Sequence, residues 1–119
     1  MKRLFEYKTC ILLIVFCGLS GCSAISAKPE AQSVVILKEA PDAERCRFLG
    51  EVAGSQGNWF TGAYTSDKNL LMGARNDLRN ETAELGGNTV YIQHVSNSGR
   101  YEASGNANTT IIGNAYDCN

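Results

Sequence analysis

Leu19-Ser20-Gly21-Cys22 closes an apolar run that begins at Cys10, and this junction decides how much chain is left to fold. Lys2 and Arg3 make a basic start, an apolar core follows, and small residues lead to a cysteine. That order is the layout of a secretory signal peptide, and a cysteine at its cleavage point marks a bacterial lipoprotein. On this reading residues 1–21 are removed, and Cys22 carries a diacylglyceryl thioether with an acylated amino group. Each buried methylene of such chains adds roughly 0.8 kcal/mol to membrane attachment, so several chains make it nearly permanent. The apolar run of about ten residues is half the length a bilayer span needs.

Cleavage there leaves 98 of 119 residues, enough for one small domain. They hold 8 basic and 11 acidic residues, a formal charge of −3. Such a chain has no basic footprint for nucleic acid and no polybasic segment for anionic lipid. The membrane is expected as a partner through the lipid on Cys22 alone, and no cofactor is called for.

Cys10 and Cys17 leave with the signal and Cys22 takes the lipid, so Cys46 and Cys118 remain. Two thiols in a small exported domain are expected to form a disulfide. Closing a loop of about 70 residues is worth roughly 4 kcal/mol on chain-entropy grounds. The rival is a metal site on Cys46, Cys118 and His94, which lacks a fourth soft ligand and close ligand spacing.

The elements expected after residue 21 are these. Residues 22–32 (Ser/Ala-rich, with one proline) make a flexible tether, and 33–119 form the domain. Val34-Val35-Ile36-Leu37 is a β-favouring run. Cys46 to Val52 alternates, which places Cys46, Phe48 and Val52 on one face. Gly54 to Ser66 is a glycine-rich loop. Ser66 then caps a helix whose apolar stripe is Leu71, Ala74, Leu78, Thr82 and Leu85, and Gly86-Gly87 ends it. Asn88 to Val95 is a third strand, Ser96 to Asn108 a polar loop, and Thr109 to Cys118 a fourth strand. If the second and fourth strands pair antiparallel, Cys46 meets Cys118 and Phe48 lies near Tyr116. The fold expected is a small α+β domain, β-β-α-β-β, with one helix on one face of an antiparallel sheet and one disulfide.

No set of residues forms a reaction centre, and the chain is expected not to be an enzyme. His94 is the lone histidine, with no nucleophile at a suggestive spacing. Asp77 and Glu81 lie one helical turn apart, but Arg75 and Arg79 interleave with them as on a solvated face. Gly54-Ser55-Gln56-Gly57 lacks the lysine and context of a phosphate loop. Trp59, Phe60 and Tyr64 are the candidate partner contact, because tryptophan on a loop is a common binding anchor. Trp59 folding back to seal the open side of the sheet is the competing reading, and membrane contact is a third.

The ordered set Cys22, Cys46-Arg47-Phe48-Leu49-Gly50-Glu51, Gly57-Asn58-Trp59-Phe60, Gly73-Ala74-Arg75-Asn76-Asp77-Leu78-Arg79-Asn80, Gly86-Gly87-Asn88-Thr89-Val90-Tyr91 and Ile112-Gly113-Asn114-Ala115-Tyr116-Asp117-Cys118 resembles the YjeI-like bacterial lipoproteins, a family of unknown function. The resemblance implies an envelope lipoprotein with an intradomain disulfide and brings no catalytic residues. Leu49-Gly50-Glu51-Val52-Ala53-Gly54 is more faintly similar to the outer-membrane stress sensor of the Rcs phosphorelay. This chain departs from that sensor in its shorter tether and in having two domain cysteines instead of four. Ser23, in place of the aspartate that retains lipoproteins in the inner membrane, points to the periplasmic leaflet of the outer membrane. The function expected is a protein-binding module of the envelope, with a ligand- or glycan-binding domain or a stress sensor as alternatives.

Overall fold

A computed structural model describes residues 3, 6, 24–57, 66–99 and 106–119. Four strands form one sheet: β1 (Val35–Leu37), β2 (Cys46–Gln56), β3 (Thr89–Gly99) and β4 (Asn106–Cys118). One helix, α1 (Asp67–Glu84), separates β2 from β3. The expected α+β order β-β-α-β-β is the one observed. The sheet order is β1-β3-β4-β2. Pairs β2/β4 and β3/β4 are antiparallel, whereas β1 lies parallel to β3, so the sheet is mixed. The reason is local. Val35 N donates to the Asn88 carbonyl at 3.0 Å, which starts β1 beside the start of β3 and sends both the same way.

The helix begins and ends where its caps place it. Ser66 Oγ accepts from Asn69 N at 3.2 Å, and Gly86, with φ +79°, turns the chain out of the last turn. Its buried row is Leu70, Ala74, Leu78 and Thr82. This corrects the expected stripe: Leu71 is 42% exposed and Leu85 47% exposed. Leu70 and Leu71 both stand at helical spacing from Ala74, and the four-residue row is the one that faces the sheet. Ala74 and Leu78 of that row meet Val52, Val90, Ile111 and Ala115 from the three long strands, with Val34 joining them. Gly54, expected in a loop, is inside β2 because α1 crosses it closely. A Cβ there would overlap the Leu78 amide nitrogen and the Ala74 carbonyl oxygen.

A break in the β2 ladder changes which residues look inward. Phe48 pairs with Tyr116 but Gly50 pairs with Ala115, leaving Leu49 as the extra residue of a bulge. Phe48 therefore stays on the face away from α1, and Val52 turns to the core. The expectation that the two share a face is corrected by this one-residue slip. The polar loop expected over Ser96–Asn108 is shortened too, since β3 runs to Gly99 and β4 starts at Asn106. Side chains hold these polar strand ends together, with Thr109 Oγ1 donating to Asn97 Oδ1 at 2.8 Å.

Residues 24–32, expected as tether, lie against α1 instead. Ile25 N donates to Gln56 Oε1 at 2.8 Å, and Asn76 Nδ2 donates to the Ile25 carbonyl at 2.9 Å. One turn on, Asn80 Nδ2 donates to the Ser26 carbonyl at 3.2 Å and its Oδ1 accepts from Lys28 N at 2.8 Å. Pro29–Ala31 makes one 3-10 turn with Ala31 fully buried. Three amide side chains thus satisfy a backbone that has no strand neighbour of its own.

Candidate functional site

The disulfide end of the sheet is cross-linked by a covalent bond and by side-chain hydrogen bonds. Cys46 and Cys118 are bonded, with Cα atoms 4.0 Å apart and a sequence separation of 72. Their juxtaposition follows from register: the two are Cα partners at the ends of β2 and β4. Asn88 clamps the same end. Its Nδ2 donates to the Cys118 carbonyl at 2.7 Å and its Oδ1 accepts from Cys118 N at 2.9 Å. Arg47 and Asp117 face each other at 3.7 Å with both side chains well exposed, so the pair adds little. An open depression of about 360 Å³ lies between Arg45, Arg47, Asp117 and Asn119. Arg45 is committed there to the Asn119 carbonyl at 3.2 Å.

His94 lies on β3, opposite Ile112. With both domain thiols bonded to each other, neither Cys46 nor Cys118 is a free ligand or nucleophile beside it. Among the described residues no group of His, Cys, Asp and Glu has the arrangement of a metal site. Asp77 has a structural role, since its Oδ2 accepts from Ser55 N at 2.9 Å and occupies part of the β2 edge. Arg79 Nε donates to the Val34 carbonyl at 3.2 Å, and its Nη1 reaches Asn76 Oδ1 at 3.0 Å. Burial, with the Arg75 guanidinium as a smaller cause, pushes Arg79 below its ordinary range.

The face of the sheet opposite α1 is the open side expected from a single helix, and its lining is what sequence reasoning misplaced. Among the described residues no helix or strand packs on it. Register places Phe48, Tyr116 and Thr89 in one row across it, and Glu51, Asn114 and Tyr91 in the next. Phe48 and Tyr116 meet edge to face, with ring centroids 5.7 Å apart and planes at 65°. Phe48 remains 56% exposed, and Val35 on β1 is 53% exposed. The open side was legible because one helix can cover one face only, whereas Phe48's place on it depends on the bulge at Leu49. Cys22, Trp59, Phe60 and Tyr64 lie outside the described residues.

Among the described residues from Ala24 onward, one mixed sheet, one helix and one disulfide define a small stapled α+β domain. The chain belongs to the family described as "Domain of unknown function (DUF4156)", which matches residues 25–118. It is 37% identical over 101 residues to the uncharacterized protein YjeI of Escherichia coli strain K12, covering 84% of this chain and 86% of that one. The uncharacterized YjeI proteins of Escherichia coli O6:H1 and Shigella flexneri align with the same identity and coverage. The matched span begins at Ile25, so nearly all of the 24–32 segment that straps across α1 falls within the family domain.

Proposed function

We propose that this protein is a lipid-anchored, non-enzymatic binding module of the cell envelope, held at the periplasmic leaflet of the outer membrane. Its partner would be another envelope protein, docked on the sheet face that α1 leaves uncovered. The observation that carries this reading is a sheet that, among the described residues, is covered by a helix on one side only, with the half-exposed Phe48 paired to Tyr116 on the other. Large aromatics on a rigid surface cost little entropy to immobilise and are frequent interface anchors. The Cys22 junction supplies the anchor, and the disulfide suits an oxidising compartment. No helix among the described residues is long and apolar enough to cross a membrane. Trp59, Phe60 and Tyr64 belong to this proposal as additional contacts.

Photo-crosslinking in living cells tests it, with a photoreactive residue in place of Phe48 or of Trp59, and in place of Glu84 as a control on the helix side. The reading predicts a discrete protein adduct from Phe48 or Trp59 and none from Glu84. A folded, membrane-bound protein that gives no adduct from either aromatic position refutes it.

A further inference from the structure

The strap that replaces the expected tether has a direction. Its polar contacts follow a single row of α1, one turn per step: Ile25 at Asn76, Ser26 and Lys28 at Asn80, and the Lys28 ammonium 3.6 Å from Glu84. Toward the N-terminus of the helix, that row of α1 continues through Met72 and Lys68. Met72 and its neighbour Leu71 are each 42% exposed, which is unusual for two adjacent large apolar residues on a helix that otherwise buries its leucines. Lys68 is exposed one turn before Met72.

Two residue steps separate Ala24 from Cys22, a reach of about 7 Å even when fully extended. Lys68 lies eight residues before Asn76, roughly 12 Å along the helix axis. In the other direction, the ten steps of β2 from Gln56 to Cys46 put the disulfide about 33 Å away. A lipid on Cys22 therefore cannot act as a leash for this domain.

We infer that the strap mounts the domain on the bilayer, with the first turns of α1 (Lys68, Leu71 and Met72) as the membrane-contacting surface. The inference rests on lipidation of Cys22. Leu71 and Met72 enter the interfacial layer, and the Lys68 ammonium meets lipid phosphate. The Cys46–Cys118 end then points away from the membrane. The Phe48–Tyr116 row, two positions from that disulfide in the register, then lies at the end away from the membrane.

The test uses the full lipidated protein in phosphatidylethanolamine–phosphatidylglycerol vesicles whose acyl chains are brominated. A fluorescent noncanonical residue replaces Met72 in one preparation and Glu44 in another. Quenching by bromine is expected to be at least threefold stronger at position 72 than at 44. Asn76→Ala with Asn80→Ala frees the strap and is expected to erase that difference, while flotation with the vesicles and circular dichroism stay unchanged. Equal quenching at the two positions in a protein that floats overturns the mount but leaves the anchor standing. A protein that does not float overturns the anchor and the mount together. A quenching difference that persists in the Asn76→Ala/Asn80→Ala protein overturns the role given to the strap.

Discussion

Replacing both Cys46 and Cys118 by alanine tests what holds the two long-range strands together. The bond spans 72 residues, nearly the whole domain. Opening a loop of that length returns entropy to the unfolded chain worth roughly 4 kcal/mol at 25 °C. The folded side loses less, because the strand ends keep the Asn88 side-chain bonds to Cys118 N and O and the Asn119 N bond to the Arg45 carbonyl. Small domains are stable by about 5–15 kcal/mol in total, so the change removes a large share. At about 4–8 °C per kcal/mol for a domain near this size, the melting temperature should fall by roughly 15–30 °C. Thermal unfolding of the purified protein in detergent, followed by far-UV circular dichroism, reads this directly. A fall of less than about 5 °C, near 1 kcal/mol, would refute the reasoning. It would mean that the unfolded chain already holds the two ends near each other, so the bond adds almost no constraint.

Two further substitutions probe the packing. Gly54→Ala sets a methyl group against the α1 backbone at Leu78 and Ala74 and should destabilise by about 1–3 kcal/mol; a neutral melt would show that the helix is free to shift outward. Leu70→Ala should cost about 2–5 kcal/mol because Leu70 is fully buried, whereas Leu71→Ala should stay within about 1 kcal/mol; equal losses in chemical denaturation would contradict the assignment of the buried row.

Much of the domain was legible from local signals. Ser66 and Gly86-Gly87 bracket α1 because a cap hydroxyl and a left-handed glycine are chemical requirements of helix ends. Pairing Cys46 with Cys118 predicted the β2/β4 register, and with it the Phe48–Tyr116 contact. Three things were hidden for physical reasons. The Leu49 bulge adds one residue to a strand, and a period-two pattern cannot register that without knowing its partner. Gly54 reads as a loop residue when its actual cause, close approach of a helix backbone, lies in Ala74 and Leu78, far downstream. The strap looked like a tether because its stability is stored elsewhere, in Gln56, Asn76 and Asn80. Asparagine twice at a four-residue spacing, on a helix it does not favour, was the available hint. Of the candidate site, the disulfide came from cysteine arithmetic. The lining of the open sheet face did not, since exposure of Phe48 depends on where the bulge falls.

Mass spectrometry of the protein purified from membranes tests the central claim most directly. The account predicts an N-terminal peptide that begins at Cys22 and carries the mass of a diacylglyceryl group and an N-acyl chain. A chain that retains residues 1–21, or one cut elsewhere with an unmodified amino terminus, would contradict it.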